Sequence, residues 1–327
     1  MILVTGGSGF IGSALVRAFV TLGLLVRVLD DNSRGNIRRL WPVINDIEFI
    51  EGDVRNPAVV DKACIGVDEV LHFAFVNGTE NFYKMPGTVL DVGVRGICNI
   101  IASCHKYNVK HLMVASSSEV YQAPPVVPTD ESAPLSIPDP HNPRYSYGAG
   151  KIISEMMALH CTNGIDRVTI VRPHNIYGPD MGNEHVIPQI ALRIKEEGAI
   201  RFYSQGAPAV NGKKQFYGGE ETRAFCYIDD AVDGILVVWR SGKHKEIYNV
   251  GTQEEVAISD LAKRIGSHVG VGRIIAEVGT ATGGTTRRCP DISKLRALGY
   301  SPKVTLDEGL AKTLDWYWSN ARAVSSL

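Results

Sequence analysis

Two side chains near the middle of the chain are spaced for proton transfer. Tyr147 and Lys151 stand four residues apart in Tyr145-Ser-Tyr-Gly-Ala-Gly-Lys-Ile-Ile-Ser-Glu155. On a helix that spacing puts both on one face. An ammonium near a phenol favours the phenolate and lowers its pKa towards neutrality, which makes Tyr147 a usable general base. A second segment, Ala115-Ser-Ser-Ser-Glu-Val-Tyr121, offers three hydroxyls and a carboxylate. A hydroxyl there suits a substrate oxygen that gains and loses a proton. Spacing alone leaves two plain alternatives open: a tyrosine and lysine on an ordinary helix surface, and a serine-rich turn.

The surrounding elements favour the chemical reading. The first twelve residues form an apolar run that breaks into glycines at Gly6, Gly9 and Gly12, and a helix-like segment, Ser13 to Leu22, follows. Strand, tight turn and helix N-terminus together form a dinucleotide-binding fingerprint, in which free N–H groups and the helix dipole face the phosphates. The next strand, Leu24 to Leu29, ends in Asp30-Asp31. An acid there binds ribose hydroxyls and repels a 2′-phosphate, so NAD is expected over NADP; Arg34, close by, works against that preference.

Strand-like runs continue at Ile47–Ile50, Glu69–Phe75, His111–Ala115 and Arg167–Val171, with helix candidates near 57–65, 88–107 and 146–163. This alternation predicts an α/β fold with a Rossmann-type, doubly wound parallel sheet. Near-continuous apolar strands fit burial on both faces. The segment 115–121 then falls at a strand's carboxyl end, beside the cofactor. A proline-rich stretch over 122–144 reads as a long functional loop. Beyond 172 the pattern loosens, with amphipathic helices at 259–269 and 306–318. The expected division is an NAD-binding domain over 1–171 and, over 172–327, a smaller C-terminal α/β lobe that mainly binds substrate, some segments returning to the first domain.

Composition is that of an ordinary globular chain, with 44% hydrophobic and 21% charged residues. A net charge of −1 implies no bulk attraction to nucleic acid or an anionic membrane. The first strand begins at Met1 or Ile2, and no uninterrupted apolar run approaches the length of a membrane span, so a cytoplasmic protein is expected. The six cysteines have no metal-like spacing and read as reduced. His72, His174 and His185 match no compact metal motif, so no metal is expected. Trp316-Tyr-Trp318 reads as packing of the last helix.

Taken together the motifs resemble the extended short-chain dehydrogenase/reductases of the NAD-dependent nucleotide-sugar epimerase/dehydratase family. The matching segments are Thr5–Gly12, Gly52-Asp-Val54, His72-Phe-Ala74, Ser116–Tyr121, Tyr147-xxx-Lys151, Arg172–Pro179, Arg223–Asp229 and Arg288–Asp291. The resemblance implies NAD contacts from Gly6, Gly9, Phe10, Ile11, Gly12, Asp30 and Asp31, with Asp53 and Val54 at the adenine. It implies Phe73, Ala74 and Pro173 beside the nicotinamide end, Ser117 as the catalytic hydroxyl, Tyr147 as base, and Lys151 holding the ribose and tuning the tyrosine. Asn175, Arg223 and Arg288, with Ser117 and Ser118, would bind a nucleotide-diphosphate sugar; Arg287 is an alternative to Arg288. The family's helices corresponding to 88–107 and 146–163 pair across a two-fold axis, which implies a homodimer.

Several positions depart from the family pattern. The usual His-Leu-Ala-Ala is His72-Phe-Ala-Phe75, the usual Asn of Asn-x-x-Gly-Thr is Gly93, and Gln122 follows Val-Tyr in place of glycine. Residues 207–214 read as an insertion. Family dehydratases carry Thr-Asp-Glu where this chain has Ser117-Ser-Glu119. The missing aspartate argues against 4,6-dehydration, while Ser-Glu occurs in decarboxylases and some epimerases. The expected activity is therefore epimerisation at C4 through a transient 4-keto sugar. The alternative is dehydration or uronic-acid decarboxylation using Glu119, and a more distant one is a non-catalytic dinucleotide-binding regulator.

Overall fold

The computed structural model describes residues 1–202, 221–272, 274–276 and 286–320; the insertion expected at 207–214 lies outside them. Strands β1 (Ile2–Thr5), β2 (Val26–Asp30), β3 (Ile47–Glu51), β4 (Glu69–His72), β5 (His111–Ala115) and β6 (Arg167–Pro173) alternate with helices α1 (Phe10–Thr21), α2 (Pro57–Cys64), α3 (Thr79–Lys84), α4 (Pro86–Lys106) and α5 (Ser146–His160). In the second half come β7 (Ile176–Tyr177), α6 (Val186–Glu197), β8 (Ile200–Phe202), β9 (Thr222–Ala224), β10 (Cys226–Tyr227) and α7 (Ile228–Ser241). They are followed by β11 (Glu246–Val250), β12 (Glu255–Ala257), α8 (Ile258–His268), β13 (Ile274–Ala276), β14 (Arg287–Arg288), α9 (Ser293–Arg296) and α10 (Leu306–Ser319).

Seven strands form one sheet in the order β11-β6-β5-β4-β1-β2-β3, every pairing parallel. The chain winds from β1 outward to β3, then returns to β4 on the other side of β1. Ligands of such sheets sit at that reversal, outside the strands' carboxyl ends. Successive strand residues point to opposite faces, so Ile2 and Val4 join the core beneath α1 and α7 while Leu3 joins the core beneath α2, α4 and α5. Both faces are covered, which is why these strands read as unbroken apolar runs.

The expected doubly wound sheet is present, with three differences. The strand expected over 69–75 ends at His72; Phe73 N–H donates to the Thr5 carbonyl at 3.0 Å and the chain turns away into the crevice. The sheet is not completed within residues 1–171, because β11 pairs with β6 from Glu246↔Thr169 to Val250↔Pro173. The proline-rich loop is tied to the second half, with Thr129 N–H donating to Cys289 O and Asp291 N–H to Thr129 O. Smaller sheets, β10 with β7, β9 between β12 and β14, and β13 with β8, lie in the second half.

Among the described residues one helix, α4, is long and apolar enough by length and composition to cross a membrane, but half of the relevant stretch is buried within the protein, as suits a core helix. The six cysteines are all free thiols.

Candidate active site

The first turn after β1 builds a cradle from backbone. Gly6 has φ of +70°, and a Cβ there would lie 2.6 Å from the Ala74 nitrogen. A Cβ at Gly12 would overlap the Gly6 carbonyl oxygen. Gly9 caps α1 with no side chain over its N-terminal N–H groups, a ready site for phosphate. A cleft partly open to solvent spreads from Gly6 and Gly9 across Asp30, Asp31, Asp53 and Val54 to Phe73 and Ala74. Asp30 accepts from the backbone N–H groups of Ser8 and Asn32, both at 2.9 Å, and Asp31 from the backbone and hydroxyl of Ser33. Both carboxylates are thereby fixed at the cavity wall. Arg34 also lines it, with its guanidinium paired to Glu184 at 2.8 Å. Phe10 and Ile11 open α1, and their side chains pack on the core beneath it. A side-chain-free phosphate turn beside paired acids fits a dinucleotide.

Beyond the Phe73–Ala74 end of that cavity, β5 ends at Ala115 and the chain enters a short 3-10 turn, Ser118–Val120, whose cap is Ser117. The Ser117 hydroxyl accepts from Glu119 N–H at 3.2 Å, and its nearness to Tyr147 favours the phenolate. Tyr147 and Lys151 stand on consecutive turns of α5, both buried. The Tyr147 ring stacks on Phe82 (centroids 5.0 Å, 17°) and meets Phe75 edge-on (5.1 Å, 82°).

The expected tuning of Tyr147 by Lys151 differs in the structure. Lys151 Nζ donates to the Ala115 carbonyl at 2.6 Å and lies 4.1 Å from the Phe75 ring centroid. Burial pushes the Tyr147 phenol up, the Ser117 hydroxyl pulls it down, and Glu119 raises it. Burial also lowers the Lys151 pKa to about 7, against an upward pull from Glu155. The helix spacing brings the two residues to one face, but the carbonyl and the ring choose where the ammonium rests.

Facing this set is a cationic cluster. Arg288 donates to Glu119 Oε1 at 2.6 Å. Burial raises the Glu119 pKa, yet Arg288, Arg144 and Arg223 together outweigh it and hold the carboxyl below its usual range. Burial, then Arg288 and Arg144, bring the Arg223 pKa down to about 10. Arg287 instead points outward, paired with Glu255 at 2.6 Å and half exposed, so of the two candidates Arg288 is the one at the cluster. Asn175 adopts φ of +43°, with its amide donating to Ala224 O at 2.9 Å, and Pro173 closes β6 opposite Val250. Ser118 is buried in the 3-10 turn.

Sequence reasoning gave no role to four features here. Arg144 sits in the short turn Pro143–Tyr145 ahead of Tyr147. Its only sequence signal is that proximity. Gln122 has φ of +52° and its amide donates to the Glu119 carbonyl; a left-handed residue explains the family's glycine there. Phe75 fills a space against Gly93 of α4 and Gly150 of α5. Glu155 and Arg172 form a buried pair, with Ser116 and Tyr121 as further partners. His72 and His174 are buried, and burial lowers the pKa of each to about 3. Among the described residues, no three His, Cys, Asp or Glu side chains cluster as a metal site would need.

A wholly parallel sheet with a phosphate turn at its reversal, beside a Ser–Tyr–Lys set, defines an enzyme of the short-chain dehydrogenase/reductase type. The chain belongs to the NAD dependent epimerase/dehydratase family, which matches residues 2–251. It is similar to UDP-glucuronic acid decarboxylase 1 of Xenopus tropicalis, with 31% identity over 97% of this chain and 72% of that one. It is similar to a putative UDP-glucose 4-epimerase of Methanocaldococcus jannaschii, with 30% identity over 98% and 100%. A double mutant of the dTDP-glucose 4,6-dehydratase from Streptomyces venezuelae, solved with NAD, superposes with a TM-score of 0.85 at 28% identity, covering 100% and 99% of the two chains. NAD is the cofactor of this family.

Proposed function

We propose that the protein epimerises the sugar of a nucleotide-diphosphate sugar, at C4, through a transient 4-keto sugar. The observation that carries this reading is the commitment of Glu119 to Arg288 at 2.6 Å. An ionised, paired carboxylate cannot donate a proton, and the neighbouring position, where dehydratases carry their acid, is Ser118. Epimerisation needs one proton to leave and return, which Tyr147 and Ser117 can manage.

Bound NAD supplies a reversible hydride acceptor. Tyr147 takes the proton of the sugar hydroxyl, and Ser117, close beside it, supports the developing carbonyl oxygen. Lys151 holds the cofactor's ribose beside the tyrosine. Arg223 and Arg288, with Asn175, bind the diphosphate, since a guanidinium fork pairs two oxygens at once. Residues 1–171 mainly bind cofactor and residues 172–327 mainly bind substrate. The chain works as a homodimer through α4 and α5, whose outer surface exposes Ile153 and Met156.

A second reading draws on the same carboxylate, because an ionised Glu119 is also a base. Elimination or decarboxylation would then follow the same oxidation. Incubation with UDP-, GDP-, CDP- and dTDP-sugars, followed by product mass, separates them: unchanged mass means epimerase, loss of water dehydratase, loss of carbon dioxide decarboxylase. Tyr147→Phe keeps the ring and its packing but removes the proton acceptor. It should lower turnover by on the order of 10²–10⁴-fold with cofactor affinity nearly intact. A variant retaining most of the wild-type rate would remove Tyr147 as the base.

A further inference from the structure

Phe75 lines the cofactor cavity but takes no part in the proposed proton and hydride transfer. Two helices leave room for it. A Cβ at Gly93 of α4 would lie 2.4 Å from the Phe75 ring, and one at Gly150 of α5 would lie 2.9 Å from it. The two glycines therefore frame a slot that this ring fills, so the unusual Phe75 and the unusual Gly93 are one structural fact. The ring's edge-on contact with Tyr147 and its face towards Lys151 then bring it against both reactive side chains at once.

Lys151 shows what the ring does. Its side chain is buried and its Nζ has the Ala115 carbonyl on one side and the Phe75 face on another, 4.1 Å from the centroid; the Tyr147 ring is farther, at 5.7 Å. A carbonyl oxygen and a π face both favour the ammonium over the neutral amine. We infer that Phe75 is a positioning residue, whose ring seats the charged Lys151 against Ala115 and fixes the Tyr147 ring before the dinucleotide arrives. The seating of the lysine stands independently of the proposed reaction; only its consequence for turnover rests on Tyr147 and Lys151 being the reactive pair. Because burial brings the Lys151 pKa to about 7, a small change in the support of its charge alters its protonation at neutral pH.

The test reads that charge directly. Full-length protein carrying lysine labelled with ¹³C at Cε is titrated by NMR, with the Lys151 signal assigned from its loss in Lys151→Met. Phe75→Leu keeps apolar bulk and removes the π face; it should lower the Lys151 pKa by about 1. Replacing Phe75 by 3,5-difluorophenylalanine keeps the shape and weakens the ring's negative face. It should shift the pKa in the same direction by a smaller amount, and it guards against a packing failure in Phe75→Leu. NAD affinity measured on the same proteins should fall by up to about tenfold in Phe75→Leu if the seated ammonium helps hold the ribose. A Lys151 pKa unchanged in both variants overturns the inference, and so does lost turnover with an unchanged pKa, which would mark plain packing. A lowered pKa with unchanged turnover upholds the seating and instead removes Lys151 from the proposed chemistry.

Discussion

Two carboxylate–guanidinium pairs of equal length do different work in this protein. Glu155–Arg172 and Glu119–Arg288 both close to 2.6 Å. The first is sealed, with each side chain 2% exposed. Ser116 donates to the Glu155 carboxylate, and Arg172 spends further donors on the Tyr121 hydroxyl and the Glu131 carbonyl. Tyr121 passes the network on to Asn249, whose amide reaches Thr129 O and Asp291 O. The second pair is 24% exposed at Glu119 and is surrounded by an excess of positive charge from Arg144 and Arg223. A fully satisfied pair fixes strands, helix and loop to one another. A pair with surplus cations and partial access is what the proposed diphosphate site would need. Geometry alone would have rated them alike; satisfaction and access separate them.

Breaking the sealed pair should produce the largest effect. Arg172→Met leaves the Glu155 carboxylate buried without its partner, which costs about 3–5 kcal/mol. Urea denaturation should show that loss, and Glu155→Leu in the same chain should recover much of it, since removing both charges removes the uncompensated one. A loss below about 1 kcal/mol would mean that water reaches the pair.

Acid should also distinguish the two regions. His174 lies in the sealed network, 3.0 Å from Asn249 Oδ1, with its pKa lowered to about 3, first by burial. His72 is lowered to about 3 and His185 to about 4 by the same cause. Between the unfolded histidine value of about 6.5 and these folded values, the unfolded chain binds protons that the folded one does not. Stability therefore falls as pH drops through that window, by up to about 1.4 kcal/mol per pH unit for each histidine. The Glu119 contribution is present above the unfolded glutamate value of about 4.3 and is lost as pH falls through its depressed folded value. Acid should thus weaken the sealed side first. The fall of denaturation midpoints across pH 7 to 4 should become shallower in His174→Gln, with His72 and His185 keeping the rest; an unchanged slope would break this ordering.

Glu119→Gln should cost less stability than breaking the sealed pair, because Glu119 keeps some access to water and a glutamine can still accept from Arg288. If the enzyme is an epimerase, turnover should fall only about tenfold through altered electrostatics. A loss on the order of 10²-fold or more, with a keto sugar accumulating, would mean that Glu119 moves a proton and would favour elimination or decarboxylation. The smallest effect belongs to Arg287→Ala. Its pair with Glu255 is half exposed and faces away from the cluster, so stability should change by less than about 1 kcal/mol and turnover should not change. A measurable loss of substrate affinity there would reverse the choice between Arg287 and Arg288.

What could be read in advance follows from how local each signal is. The cradle of Gly6, Gly9 and Gly12 is written within one turn, and Tyr147 with Lys151 within one helical repeat, so both were legible. Strand β11 was not, because Glu246-Ile-Tyr-Asn-Val250 is short and half polar, and its pairing with β6 is set by the packing of α7 between them in sequence. Arg144 was not, because only the folding of the proline-rich loop carries it to Glu119. Phe75 and Gly93 were visible as separate oddities, and only the approach of α4 to α5 makes them one. The direction of the Lys151 ammonium depends on a rotamer, which no spacing encodes.

The late arrival of β11 has a consequence for the newborn chain. Strand β6 ends at Pro173 and β11 begins at Glu246. A ribosome adding about 5–20 residues per second leaves the outer rim of β6 bare for several seconds, with its backbone N–H and C=O groups unpaired. An uncovered rim of that kind is a template for pairing with a neighbouring nascent chain. During that interval the growing polypeptide depends on dilution or on a chaperone to keep such a partner away, and the arrival of Glu246–Val250 ends the exposure by giving β6 the neighbour encoded in its own message.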